Sequence, residues 1–179
     1  GLRTHNVDAP FPEEFNRQVV SRVARWHFAP TAASRTNLLA ERIDAGRIFV
    51  TGNTVIDALQ WVLGRIKADP LRATRLSAQL DEALGFDWRQ ERFVLVTGHR
   101  RENFGEGFIQ ICQALRELAG TFPQVRFVYP VHLNPSVQAP VRGILAGIAN
   151  VHLIEPLDYE PFVHLLHHCH LVLTDSGGI

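Results

Sequence analysis

The sequence predicts an α/β fold, a Rossmann-like doubly wound parallel sheet, on three observations. From about residue 69 onward, short apolar runs alternate with amphipathic helical segments. The runs are continuously apolar, as strands covered on both faces are. Three of them end in strongly polar loops, at the strand ends where open parallel sheets hold ligands.

Taken in order, Glu13–Trp26 places Phe15, Val19, Val23 and Trp26 on one helical face, with Pro12 at its entry. A short extended stretch at Phe28–Pro30 and a helix around Ser34–Glu41 follow. Arg47–Val50 reads as a buried strand. Thr54 and Asp57 have capping-box spacing ahead of the stripe Val55, Leu59, Val62 and Ile66. Residues 68–91 read as polar and irregular, except for a helix near Arg72–Leu84 closed by Gly85. Phe93–Val96 is then an apolar strand, and Phe108–Ala119 a helix with Phe108, Ile111, Leu115 and Leu118 on one side. Val125–Val131 is a strand, Ser136–Ile148 a helix, Val151–Ile154 a strand, Glu160–His168 a short helix and Leu171–Leu173 the last strand.

Residues 69–179 thus form the doubly wound domain, 1–51 the end of a different unit, and 52–68 a hinge and linker helix. No internal repeat or low-complexity tract interrupts this pattern. The chain contains no methionine and stops at Ser176-Gly177-Gly178-Ile179, where glycines ordinarily open another helix. It reads as an internal piece of a longer protein.

Composition narrows the function. Of 179 residues, 46% are hydrophobic and 20% charged, and the 18 basic residues balance the 18 acidic ones. No basic run points to nucleic acid or a lipid surface, so any bound anion is held by local groups. No apolar run approaches the ~20 residues of a membrane span. The amino end is not a signal peptide. Cys112 and Cys169 lie apart, inside apolar periodic segments, and read as reduced thiols of a cytoplasmic chain.

Chemistry-bearing residues gather in the three strand-end loops: Thr97-Gly98-His99-Arg100-Arg101-Glu102-Asn103, Pro130-Val131-His132-Leu133-Asn134-Pro135 and Thr174-Asp175-Ser176-Gly177-Gly178. A Ser-Gly-Gly turn entering a helix brings backbone N–H groups close to a phosphate, and paired arginines beside a histidine add positive charge for an anionic leaving group. Singly, each has a plainer reading. Ser176-Gly177-Gly178 is also a strand-to-helix turn, Arg100-Arg101 a solvated pair, His99 a surface histidine, and His132 a hydrogen-bonded core side chain. His164 and His168 are spaced i,i+4 on a helix without an obvious third metal ligand. A carboxylate such as Glu13 at a helix amino terminus also has an ordinary dipole role. It is the coincidence of three such loops on one rim that favours function.

Those loops, the second taken from Tyr129 and the third from Leu173, together with Gly1-Leu2-Arg3-Thr4, Pro10-Phe11-Pro12-Glu13-Glu14 and Thr51-Gly52-Asn53-Thr54-Val55-Ile56-Asp57-Ala58-Leu59, closely resemble the non-hydrolysing UDP-N-acetylglucosamine 2-epimerases of bacteria. The stretches run through nearly the whole chain in the family's order; residues 68–91 carry little of the match. The resemblance implies a glycosyltransferase-B-like architecture of two Rossmann-like domains facing a cleft. Residues 1–51 are then the last part of the first domain, and 69–179 most of the UDP-binding domain. It also implies that two catalytic carboxylates and a ribose-binding glutamate of the family lie outside this chain, so that these residues alone lack activity. The implied reaction is reversible epimerisation at C2 of UDP-N-acetylglucosamine through elimination and re-addition of UDP, with no cofactor and no metal. By the match, Glu13 is a catalytic carboxylate and His99 assists at the diphosphate. Ser176, Gly177 and Gly178 cradle phosphate, Phe162 faces the uracil, and Arg101 and His132 line the site. A homodimer that binds UDP-N-acetylglucosamine and UDP is implied as well. A hydrolysing 2-epimerase, a UDP-sugar glycosyltransferase and a UDP-binding module without chemistry share the architecture and remain the alternatives.

Overall fold

A computed structural model describes residues 3–98 and 105–175. The chain divides into two compact units, one running to Trp61 and the other starting at Val62. The division falls within a single helix.

In the first unit, α1 spans Glu13–Val23, β1 His27–Ala29, α2 Ala32–Ala40 and β2 Ile48–Val50. β1 and β2 pair in parallel, with Phe28 beside Phe49. The small core consists of Ala29, Leu38 and Ile48, supported by Leu39 and Ile43. α1 stops three residues before the expected Trp26, and its orientation reverses the usual amphipathic rule. Phe15, Val19 and Val23 are exposed, whereas Glu14 is buried. The buried Glu14 charge is compensated by Arg17 and Gln18 on its own helix.

α3 spans Thr54–Ala68 and buries Val62 and Ile66. Its amino end is closed by Asn53, whose Oδ1 accepts from the Val55 N–H at 3.1 Å. The capping side chain therefore lies one residue before the Thr54 that the spacing suggested.

In the second unit, α4 spans Pro70–Leu84, β3 Phe93–Thr97, α5 Glu106–Thr121, β4 Arg126–Pro130, α6 Pro135–Leu145, β5 Val151–Ile154, α7 Tyr159–His168 and β6 Leu171–Thr174. α4 begins earlier than expected because Pro70 suits a first turn and Asp69 accepts from the Arg72 N–H at 3.1 Å. The four strands are parallel in the order β5-β4-β3-β6.

Side chains alternate across the sheet with the period of two that a strand imposes. Val94, Val96, Phe127 and Tyr129 pack on one face with Phe108, Cys112 and Leu115 of α5 and Val137, Val141 and Leu145 of α6. Phe93, Leu95, Val128 and Ile154 pack on the other with Leu80 and Leu84 of α4 and Leu165 of α7. Trp88 joins this second layer and is 1% exposed, although residues 86–91 read as irregular in sequence. Cys112 is buried and Cys169 only half-buried, both as free thiols.

Candidate functional site

The strand order locates the site. The path β3-α5-β4-α6-β5 winds outward along one side of the sheet. α7 then crosses to the other face and returns the chain as β6 on the opposite side of β3. The winding therefore reverses between β3 and β6, and the crevice beyond the carboxyl ends of two such strands is where open α/β sheets bind ligands.

The strand ends there are level. Thr97 pairs with Thr174, and Pro130 with Ile154, while Leu95 pairs with Val128 two residues before both β3 and β4 end. Gly98 and Asp175, the first residues beyond β3 and β6, are close neighbours. A Cβ built on Gly98 would lie 4.0 Å from Asp175 Cγ and 3.5 Å from the Tyr129 hydroxyl oxygen. The Tyr129 hydroxyl donates a hydrogen bond to the Gly98 carbonyl. Burial pushes this phenol's pKa well up, with smaller contributions from Cys112 and Asp175, so it remains a donor. In sequence Tyr129 belongs to an apolar strand and opens the matching stretch Tyr129–Pro135, but neither reading gave its hydroxyl a role.

The third loop leaves the same edge after β4. Val131 is buried and His132 is exposed. The reading of His132 as a core side chain is thereby corrected: a one-residue step beyond Val131 turns it away from the sheet's apolar layer. Its Nδ1 accepts from the Asn134 N–H at 3.1 Å, which leaves the neutral ring's proton on Nε2. Asn134 Oδ1 in turn accepts from the Ser136 N–H at 2.9 Å and closes the start of α6. Phe162 lies in the first turns of α7, half-buried against the layer that contains Leu80, Trp88 and Leu165. His99, Arg101, Ser176, Gly177 and Gly178 lie outside the described residues. Their chain neighbours Gly98 and Asp175 fix only where their loops begin.

Glu13 belongs to the first unit, as the exposed first residue of α1. Glu14 is the carboxylate embedded in structure. Arg17 grips it with Nε at 2.9 Å and Nη2 at 2.7 Å, and Gln18 Nε2 adds a bond at 2.9 Å. These bonds, Arg17 first, hold its pKa down to about 2. Arg17 also reaches Glu41 at 2.8 Å, and Arg3 reaches the same Glu41 oxygen at 2.5 Å. Burial opposes ionisation of Glu41, but the two arginines outweigh it and lower its pKa. Sequence reasoning missed this network; the signal available was Glu14 and Arg17 at i,i+3.

The histidine cluster is built as packing. His164 Nε2 lies 3.1 Å from Ser77 Oγ, and His168 Nδ1 lies 2.8 Å from the His164 carbonyl oxygen. Both rings stand edge-on to Trp88. Among the described residues, no group of three or more His, Cys, Asp or Glu side chains is placed to hold a metal ion. Nor is any described helix long and apolar enough to cross a membrane.

The family model for UDP-N-acetylglucosamine 2-epimerase matches residues 1–179. The chain belongs to that family. A UDP-N-acetylglucosamine 2-epimerase of Yersinia pestis is 55% identical over 100% of this chain and 46% of its own length. The UDP-N-acetylglucosamine 2-epimerase of Escherichia coli K12 is 49% identical over 100% of this chain and 46% of its own. Among solved structures, the UDP-GlcNAc 2-epimerase of Neisseria meningitidis bound to UDP-GlcNAc has a TM-score of 0.87 at 47% identity, covering 100% of this chain and 47% of that one. A UDP complex from Staphylococcus aureus has a TM-score of 0.81 at 37% identity, covering 100% and 46%. These epimerases have the glycosyltransferase-B-like fold, and the chain spans about half the length of the relatives it matches.

Proposed function

We propose that the protein carrying these residues is a non-hydrolysing UDP-N-acetylglucosamine 2-epimerase, interconverting UDP-N-acetylglucosamine and UDP-N-acetylmannosamine. The C2 proton is not beside a carbonyl, so its removal is coupled to loss of the anomeric substituent. The C2–H electron pair becomes the C1=C2 bond of a 2-acetamidoglucal, the C1–O pair leaves with UDP, and a base takes the proton. Return of a proton to the opposite face of C2, with re-attack of the UDP oxygen at C1, completes inversion. Electrons balance without a redox partner.

Such chemistry needs stabilisation of the departing diphosphate and a carboxylate to move the proton. We assign His99, with Arg101 and His132 lining the site, to the diphosphate side, and Ser176, Gly177 and Gly178 to its phosphate oxygens. Phe162 is assigned to the uracil and Glu13 to proton transfer. Residues 1–51, 52–68 and 69–179 serve as first-domain segment, hinge and UDP-binding domain, in a cytoplasmic homodimer. The observation that carries the reading is the meeting of Gly98 and Asp175 at the level ends of β3 and β6, where the sheet's winding reverses.

The test is incubation of the full-length protein with UDP-N-acetylglucosamine in D₂O. Deuterium at C2 of both epimers, with UDP still attached, is the expected result. Free N-acetylmannosamine and UDP, or no exchange, rejects the proposal.

A further inference from the structure

We propose that Tyr129 is a positioning residue: the hydrogen bond from its hydroxyl to the Gly98 carbonyl fixes Gly98, the residue before His99, beside Asp175, the residue before Ser176. The inference rests on the reading of those two loops as the diphosphate side of the site.

Tyr129 is the penultimate residue of β4 and 1% exposed, packed among Phe127, Cys112 and Val131. Packing alone does not call for a hydroxyl there. Phenylalanine fills the same space without burying an oxygen that must find a partner. The hydroxyl is used, however: it reaches from β4 to the backbone of Gly98, one residue beyond the end of the neighbouring β3. It arrives at the point where Gly98 faces Asp175. One rigid side chain, anchored in the core, thus meets the backbone immediately before His99 at a junction shared with the residue immediately before Ser176. In a reaction whose leaving group must be held in line while a proton moves, small displacements of a loop root cost turnover more than affinity. The raised pKa of the buried phenol keeps its proton in place throughout the pH range of the reaction.

The experiment uses full-length protein carrying Tyr129→Phe, with Gly98→Ala as the second variant. A Cβ at Gly98 makes only ordinary contacts, 3.5 Å to the Tyr129 oxygen and 4.0 Å to Asp175 Cγ, so this variant adds a methyl group at the junction while keeping the Gly98 carbonyl and its hydrogen bond. Tyr129→Phe is expected to lower kcat about tenfold while KM changes less than about threefold. It is also expected to move the titration midpoint of His99, followed by ¹³C NMR and assigned with His99→Gln, by about half a unit. Gly98→Ala keeps that hydrogen bond and is expected to change both readouts less than Tyr129→Phe does. Unchanged kcat and an unmoved His99 midpoint, with only the melting temperature lowered, reduce Tyr129 to a core side chain and overturn the inference. Should Tyr129→Phe fail to fold, 4-fluorophenylalanine at position 129, which keeps the shape of the ring but donates no hydrogen bond, decides by the same two readouts. If the wild-type protein shows no exchange at C2, the functional reading fails by itself. The His99 titration then still decides whether Tyr129 positions the loop.

Discussion

Glu14 is gripped by Arg17 inside the first unit while Glu13, one residue earlier, stands in solvent at the start of α1. Adjacent helical residues point about 100° apart, so neighbouring carboxylates divide here into a buried, paired one and an exposed one. His164 shows how burial sets a titration. Burial, aided by the charges of His168, His167 and Arg89, holds its pKa down to about 4, below the ordinary 6.5. Its folded form therefore resists protonation. The stability it contributes is fully present above pH 6.5 and is lost as pH falls from 6.5 towards 4. The full loss is on the order of 3 kcal/mol, of which about 2 kcal/mol has gone by pH 5, with His152 and His167 shifted in the same direction. Denaturant unfolding at pH 7 and pH 5 should show it, and His164→Leu should flatten the slope in this interval. An equally steep slope in the variant would assign the acid sensitivity to other groups.

At the scale of elements, Trp88 decides how α4 meets the sheet. Its ring fills the layer between α4 and β3, and its Nε1 donates to Asp81 Oδ1 at 2.8 Å. Arg89 stacks on the same ring, 4.4 Å from its centroid, and pairs with Asp81 at 2.7 Å. A connecting segment is thus stapled to the helix before it. Trp88→Ala should cost about 3–5 kcal/mol in denaturant unfolding. A loss below about 1 kcal/mol would mean that the layer closes without it. The sequence concealed this residue because a single aromatic in a polar stretch has no period to reveal which way it points.

At the scale of the molecule, the two units differ in how much apolar surface they leave uncovered. The second buries both faces of its two central strands, β3 and β4. In the first, Phe28 is 66% exposed, and Phe49 and Trp26 are each 46% exposed, in mutual ring contact. A parallel pair of strands with such a surface is a part of a sheet that needs covering. These 179 residues by themselves should bind a hydrophobic fluorescent dye, and Phe28→Ser combined with Phe49→Ser should remove most of the signal. Dye binding that survives both substitutions would place the sticky surface elsewhere.

Periodicity determined the alternation of helices and strands in the second unit, because burial of one helical stripe or of both strand faces writes a repeating pattern into the chain. Motif order determined the family, because the glycine-containing turns and polar strand ends carry distinctive residues in a fixed order along the chain. Tertiary structure alone decided that Trp88 belongs to the core, that His132 is exposed, and that the Tyr129 hydroxyl reaches Gly98. Each of these depends on a partner many residues away or on one side chain's direction. Neither leaves a period or a spacing in the sequence for local reasoning to find.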